Sequence, residues 1–297
     1  MTRPHPHPLA FPALILGNVA LAFGPWLVRL ADVGPVATGF WRVLIAIPFL
    51  LLVGRVSGQP LSWPKPTLLF TAAAGALFYA LDLGGWNAGI RLTKLANATL
   101  FGNVGSFVLV GWGLWLARRL PTPLQGIALL LAVGGALLLM GGSFELSPRN
   151  GRGDLLTFGA GLLYGGYLIF VERARTELKP LPTLILVSAF AVPVLLLISL
   201  LAGERIWPGN WTPLVVLAIS SQVLGQGLLV YALGVFPPLV VGLALLSQPA
   251  ISALIGWLAY HESLSATDWI GAVAIGAALV LVRLPSRVLP RAAAEPS

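Results

Sequence analysis

Two charged residues, Arg42 and Asp82, stand inside long apolar stretches of the sequence. A charged side chain at the centre of a bilayer costs about 2.5–3.5 kcal/mol on insertion scales, so it faces protein or water rather than lipid. Asp82 is therefore predicted either to pair with Arg42 or to contact the amino group of a bound substrate. Arg42 is predicted to have a structural or pairing role, since it can also extend to the lipid headgroups.

Four predicted helices each carry a polar or aromatic stripe at helical spacing. The stripes are Tyr79, Asp82 and Trp86; Thr99, Asn103 and Ser106; Gln222 and Gln226; and Gln248 and Ser252. Hydrogen bonds between helices, worth about 0.6 kcal/mol each, can explain any single stripe. Their recurrence at corresponding positions of the chain favours a shared polar cavity.

Seven residues at membrane depth are predicted to bind a substrate. They are Tyr79, Asp82, Trp86, Asn103, Tyr164, Gln226 and Gln248. Side-chain amides both donate and accept hydrogen bonds, so Asn103 and Gln248 can hold the ammonium and carboxylate groups of a zwitterion. Aromatic faces favour an apolar side chain, with stacking worth about 0.5–1.5 kcal/mol beyond area burial. Trp86 is predicted to lie near the outer mouth of the site.

Catalysis is not predicted. The sequence has no Walker motif, no second histidine after His261-Glu262 to complete a zinc-protease helix, and no Gly-x-Ser-x-Gly elbow. It has no cysteine, which excludes disulfides and a thiolate metal site, and no metal or cofactor is predicted. The net charge of +8 is not gathered in a basic run, so nucleic acid is not a predicted partner.

The composition predicts an all-α, polytopic membrane protein. Of the 297 residues 57% are hydrophobic and 9% charged, whereas a soluble domain carries roughly 25% charged residues. Ten apolar stretches lie near the about 20 residues that cross a bilayer core. The predicted spans are Phe11–Leu27, Val36–Val53, Thr67–Asn87, Ala96–Leu116, Leu124–Met140, Asp154–Val171, Pro182–Leu201, Thr212–Tyr231, Leu239–Tyr260 and Ala266–Val282.

The second half of the chain repeats the first. At one constant offset, Asn103 falls on Gln248 and Gly126 falls on Gly271. Because each half has five spans, the second half must enter the membrane in the opposite orientation, as in transporters with inverted repeats and a midplane site. The predicted segments are a five-helix repeat over residues 1–142, a connecting loop over 143–153, a second five-helix repeat over 154–284 and a cytoplasmic tail over 285–297.

The loops predict the orientation of the chain. Lys and Arg residues are more frequent in the predicted loops on the side that carries both termini, which places both termini in the cytoplasm. The first span is predicted to be retained rather than removed as a signal peptide, because cleavage would delete one member of the repeat.

Two local features predict where helices unwind or pack closely. Pro249 is predicted to break the ninth helix after Gln248 and to free a backbone carbonyl near Leu245. Small residues spaced by four predict a close helix contact, either as a buttress of each half or in a dimer. They are Ala128, Ala132 and Ala136, and Ala274 and Ala278.

The chain resembles the drug/metabolite transporter superfamily in its EamA-like branch. The resemblance is carried by Phe40-Trp41-Arg42, Pro249, Tyr260-His261-Glu262, Gly271-Ala272 and Gly276-Ala277-Ala278. His261 stands where the family usually has a glycine before the acidic residue, and the first repeat has Ala117-Arg118 there. The resemblance implies a bacterial inner membrane protein that exports amino acids or related metabolites without ATP. Within the branch, Trp86–Ile90 is similar to exporters of aromatic amino acids.

Several alternatives stay open at this point. An exporter of quaternary or aromatic cations would use a buried carboxylate beside aromatic rings, which Asp82, Tyr79 and Trp86 provide. A sugar-phosphate carrier would need cationic cavity residues, and Arg42 is the one candidate. An intramembrane enzyme or a membrane scaffold explains the stripes less well. The expected partners are a neutral or aromatic amino acid and the lipid bilayer, with the protein a monomer or a homodimer.

Overall fold

The computed structural model describes residues 8–61, 63–93, 95–118, 120–141, 150–260 and 264–282. Within these ranges the chain forms helices joined by turns, without a β-strand. The helices are α1 (Ala10–Ala22), α2 (Gly24–Leu30), α3 (Pro35–Val56), α4 (Pro66–Leu92), α5 (Leu95–Gly102), α6 (Val104–Ala117), α7 (Pro123–Gly141), α8 (Gly151–Ala174), α9 (Pro180–Leu201), α10 (Thr212–Leu217), a π-helix (Ala218–Gln226), α11 (Gly227–Leu233), α12 (Pro238–Leu245), α13 (Gln248–Tyr260) and α14 (Ala266–Leu281). The His261-Glu262 pair, the predicted tail, most of the connecting loop and the side chain of Ser252 lie outside the described residues.

Each predicted span coincides with one helix or with a run of consecutive helices. In the described part of the chain, six helical segments are long and apolar enough to cross a membrane: Ala10–Leu30, Pro35–Val56, Pro66–Leu92, Gly151–Ala174, Pro180–Leu201 and Thr212–Leu233. Shorter apolar helices cover Val104–Ala117, Pro123–Leu139, Pro238–Ile251 and Ala266–Leu281. This is the architecture of a polytopic membrane protein, and the count of ten spans stays a prediction.

Three of the predicted spans are interrupted by a turn. The first is broken at Phe23, the fourth at Asn103 and the ninth at Leu246 and Ser247. The predicted break after Gln248 is therefore wrong in position, because the turn precedes that residue. Pro249 lies instead in the first turn of α13, where a helix has no use for the backbone donor that proline lacks.

The predicted free carbonyl near Leu245 stays a prediction. In the turn before α13, the backbone amide of Ser247 donates to the carbonyl of Ala244 at 3.0 Å. This carbonyl accepts a hydrogen bond from Nδ2 of Asn18 at 2.7 Å and one from Oγ of Ser247 at 2.6 Å. A buried carbonyl without a partner is costly, so these donors stabilise the break. Asn18 thereby ties α1 to the end of α12.

Corresponding helices of the two halves pack against each other. The pairs are α3 with α9, α6 with α12 and α7 with α14. In the last pair, a Cβ added at Gly135 would lie 2.6 Å from the carbonyl oxygen of Gly271, and the reverse distance is also 2.6 Å. Ala128, Ala132 and Ala278 are buried in the same region. The small residues therefore allow a close contact between the halves.

Helices α4 and α8 lie antiparallel and form a second close contact. Near one end a Cβ at Gly89 would lie 3.0 Å from the carbonyl oxygen of Gly153, and toward the other end a Cβ at Gly75 would lie 3.0 Å from Cβ of Phe170. Tyr79 lies between these points on α4 and is fully buried. The contact therefore holds one wall of the site described next.

Candidate ligand-binding cavity

A cavity of about 100 Å³ lies where the two halves of the chain meet. All seven residues predicted to bind a substrate line it, and so does Arg42. Those seven are Tyr79, Asp82, Trp86, Asn103, Tyr164, Gln226 and Gln248. The structure therefore brings together residues from both halves that the helical spacing had placed on separate stripes. Whether a substrate occupies this cavity stays a prediction.

The interrupted helices bring their breaks to this cavity. Gly24-Pro25 at the start of α2, Gly102-Asn103 at the end of α5 and Gln248 at the start of α13 all line it. Irregular backbone at membrane depth is tolerated where it is buried in protein or lines a cavity. The breaks therefore place backbone polar groups, as well as side chains, beside the cavity.

A network of tyrosines and glutamines forms one wall. The rings of Tyr79 and Tyr167 stack with their centroids 4.5 Å apart. The Tyr79 hydroxyl donates to Oε1 of Gln222 at 2.5 Å, and the Tyr167 hydroxyl donates to Oε1 of Gln226 at 3.0 Å. Nε2 of Gln226 donates to the Tyr164 hydroxyl at 3.4 Å. The wall thus joins α4 and α8 to the π-helix, which supplies both glutamines.

The three predicted side-chain amides differ in how many hydrogen bonds they make to other residues of the protein. Gln226 is bonded at both its oxygen and its nitrogen, as just described. Nδ2 of Asn103 donates to the backbone carbonyl of Thr99 at 2.7 Å, within its own helix. Gln248 is half-buried, and no hydrogen bond joins its amide to another described residue. Of the three amides, that of Gln248 is the most available to a ligand.

Arg42 and Asp82 line the same cavity without forming an ion pair. Among the described residues, no Lys or Arg nitrogen lies within 4.0 Å of the Asp82 carboxylate. Arg42 instead donates from Nε to Oε1 of Gln222 at 3.2 Å. The predicted direct pairing is therefore absent, because the π-helix brings an amide oxygen to the guanidinium. Both charged side chains are buried, with Arg42 4% and Asp82 7% exposed.

Trp86 lies against the end of α5 and depends on a glycine there. A Cβ added at Gly102 would lie 2.9 Å from Nε1 of the Trp86 indole. The missing side chain lets the indole reach the break beside Asn103, and Trp86 remains half-buried. This position agrees with a place at the rim of the cavity, although the outer mouth itself stays a prediction.

Three residues that support the site were not among the predicted binding residues. Tyr167 stacks on Tyr79, Gln222 joins Tyr79 to Arg42, and Ser188 accepts from Nε2 of Gln222 at 3.3 Å. Tyr167 lies three residues after Tyr164, so helical spacing was a usable signal for it. Ser188 has no distinguishing signal in the sequence, since its helix also carries the hydroxyl residues Thr183 and Ser199.

The apolar helices around a polar cavity define a class of protein, that of polytopic membrane proteins with an internal polar cavity. The EamA-like transporter family model matches the chain twice, over residues 9–141 and over residues 151–284. The chain therefore belongs to the EamA-like transporter family and is a membrane transporter.

Named relatives and a solved structure also resemble this chain. The threonine/homoserine exporter RhtA of Escherichia coli strain K12 is 29% identical over 248 residues, which are 82% of this chain and 80% of that protein. RhtA of Salmonella typhimurium strain LT2 is 27% identical over 248 residues, with the same 82% and 80% coverage. A protein of known crystal structure has a TM-score of 0.73 at 20% identity, covering 95% of this chain and 98% of its own. That likeness shows a shared fold.

Proposed function

We propose that this protein exports neutral amino acids, aromatic ones among them, or related metabolites across the bacterial inner membrane. The observation that carries the proposal is one cavity that joins aromatic rings to the guanidinium of Arg42 and the carboxyl group of Asp82. Aromatic faces suit an apolar side chain, and opposite charges suit a molecule that bears both signs. The relatives named as threonine/homoserine exporters support an amino acid as cargo.

The transport cycle is alternating access between two inverted five-helix halves, residues 1–142 and 154–284, without ATP hydrolysis. The family model matches once in each half, and corresponding helices pack in pairs. The cavity takes residues from both halves. These observations support a pseudo-two-fold axis in the membrane plane. The excess of Lys and Arg in the loops on one side supports both termini in the cytoplasm.

The transported amino acid can be small and polar or large and apolar, and the cavity lining favours the second kind. The named relatives are exporters of threonine and homoserine, which have small polar side chains. This cavity presents Tyr79, Trp86 and Tyr164. Phenylalanine, tryptophan and bulky aliphatic amino acids are therefore expected to compete for export better than aspartate or lysine.

A second candidate function is export of quaternary or aromatic cations. It is favoured by the Asp82 carboxylate, which accepts no hydrogen bond and forms no ion pair among the described residues, beside Tyr79 and Trp86. A cation over an aromatic face gains about 0.5–2 kcal/mol, more when desolvated. Arg42 in the same cavity disfavours a cation by charge repulsion, so amino acid export is the better supported of the two.

Efflux from proteoliposomes tests the proposal. Liposomes containing the purified protein are loaded with labelled phenylalanine, threonine or a tetraalkylammonium ion, and liposomes without protein serve as the control. Efflux of the amino acids, inhibited by unlabelled neutral amino acids but not by aspartate or lysine, is the expected result. Efflux of the tetraalkylammonium ion alone would favour the second candidate, and efflux of none of the three would reject both.

A further inference from the structure

The cavity keeps two opposite charges apart although both are buried in it. Arg42 comes from α3 and Asp82 from α4, and each lines the cavity. No ion pair within 4.0 Å joins them, and the structure describes both side chains. A buried guanidinium and a buried carboxyl group that form no ion pair each cost free energy, and a ligand that carries the two complementary groups would offset both costs.

The guanidinium of Arg42 is held at one edge and open at the other. Its Nε donates to Gln222, whose oxygen also accepts from the Tyr79 hydroxyl and whose nitrogen donates to Ser188. Gln222 is itself fully buried, so this arrangement fixes the direction of the guanidinium. No second hydrogen bond of ordinary geometry joins it to the described residues, and the Tyr79 hydroxyl lies near it as a further polar neighbour. Two parallel N–H donors are the geometry that binds a carboxylate in a bidentate manner.

The carboxylate of Asp82 has the complementary property. An ionised carboxylate only accepts hydrogen bonds, and among the described residues no donor reaches that of Asp82. An ammonium group brings three donors and a positive charge. The aromatic residues Tyr79, Trp86 and Tyr164 line the same cavity and leave an apolar surface for a third substituent.

We infer that Arg42 binds the α-carboxylate and Asp82 binds the α-ammonium group of the transported amino acid. The inference rests on the proposed function of amino acid transport and deepens it, because it defines the cargo by its backbone rather than by its side chain. A free α-amino group and a free α-carboxyl group are both required, while neutral side chains of different sizes contact the aromatic surface. Gln222 acts as a positioning residue for Arg42.

Blocked amino acids test the inference on the unmodified protein. Phenylalanine, N-acetylphenylalanine and phenylalanine amide are compared as inhibitors of labelled phenylalanine efflux from proteoliposomes. Loss of one charged hydrogen-bonding partner costs about 1.5–3 kcal/mol, so each blocked compound should inhibit about tenfold less well, or worse. Equal inhibition by all three compounds overturns the inference and leaves the proposed function standing. An absence of any amino acid efflux rejects both.

Two variants then assign the contacts to residues. Asp82→Asn should weaken inhibition by free phenylalanine and leave inhibition by N-acetylphenylalanine unchanged. Arg42→Gln should weaken inhibition by free phenylalanine and leave inhibition by phenylalanine amide unchanged. Arg42→Lys retains the charge without the two-pronged donor and covers the case in which Arg42→Gln fails to fold. Arg55→Gln, an exposed change on the same helix, is the matched control. Unchanged discrimination in the folded variants overturns the assignment.

Discussion

Arg29 and Arg175 make the same type of contact at opposite ends of the antiparallel pair α4 and α8. Nη2 of Arg29 donates to the carbonyl of Ile90 at 3.3 Å, and Nε of Arg175 donates to the carbonyl of Val230 at 2.9 Å. Arg29 lies in the last turn of α2 and Arg175 directly follows α8, and each reaches a carbonyl near the end of another helix. Burial lowers the pKa of Arg175 to about 10, so it remains a cation at neutral pH. The two contacts therefore join helix ends on the two sides of the cavity.

Removal of one of these arginine contacts is expected to make the helix ends that it joins more accessible to solvent. A hydrogen bond to a charged group contributes about 1.5–3 kcal/mol, so its loss should change the accessibility of that end about tenfold. Val230→Cys, introduced into this cysteine-free chain, should react faster with a maleimide when combined with Arg175→Gln. Ile90→Cys with Arg29→Gln is the mirror experiment. Unchanged labelling rates in both pairs would show that the two arginines do not hold these helix ends together.

The orientation of the halves predicts which side each loop faces. Asn150→Cys should react with a membrane-impermeant maleimide added to intact cells. Glu177→Cys, whose native side chain is 47% exposed at the opposite end of α8, should react only after permeabilisation. Labelling of position 150 from the cytoplasmic side would reject the predicted topology.

Gln222 should matter more for stability than Gln226. Gln222→Leu leaves the buried Arg42 without its acceptor, which costs about 1.5–3 kcal/mol, whereas Gln226→Leu removes neutral tyrosine hydrogen bonds worth about 1 kcal/mol each. The melting temperature of the detergent-solubilised protein should therefore fall further for Gln222→Leu. An equal or smaller fall would show that the bond between Arg42 and Gln222 adds little.

The contact between α7 and α14 should not accept a larger residue at its centre. Gly135→Val places a Cβ 2.6 Å from the carbonyl of Gly271, and such overpacking costs about 1–3 kcal/mol. Gly134→Ala and Gly276→Ala are matched controls, because a Cβ at either position meets no atom within 4 Å. The melting temperature should fall for the first variant and stay level or rise for the controls. A fall in all three would indicate a general sensitivity of these helices.

The amides at the breaks of α5 and α13 offer a direct test of the cavity. Gln248→Leu should lower amino acid export while the amount of protein in the membrane stays normal, because its amide is available to a ligand. Asn103→Leu should also lower export, although part of its amide is bonded to Thr99. Export equal to that of the unmodified protein in both variants would place the site elsewhere.

Helical spacing was sufficient to predict which side chains face the cavity. Tyr79, Asp82 and Trp86 share a face of an unbroken α-helix, so their spacing of three and four transfers directly to the structure. The amides Asn103 and Gln248 were found by the repeat, which does not depend on the helices being regular. These predictions needed only the period of the helix and the duplication of the chain.

The partner of Arg42 could not be predicted in the same way. Gln222 reaches it from a π-helix, and no apolar period in the sequence distinguishes that stretch from an α-helix. The sequence does not predict the turn at Asn103 either, because neither a proline nor a charged residue marks it. Both features depend on contacts between the halves, which a pattern within one helix does not contain.

The π-helix Ala218–Gln226 makes the cavity sensitive to the length of the chain as well as to its side chains. One residue corresponds to about 100° of rotation in an α-helix. Loss of a single codon within this stretch would let it return to ordinary α-helical bonding, and Gln222 and Gln226 would then point in new directions relative to the rest of the helix. A substitution alters one lining group at a time, whereas one such deletion turns several together. A one-residue deletion here is therefore expected to change the lining of the cavity more than a single substitution does.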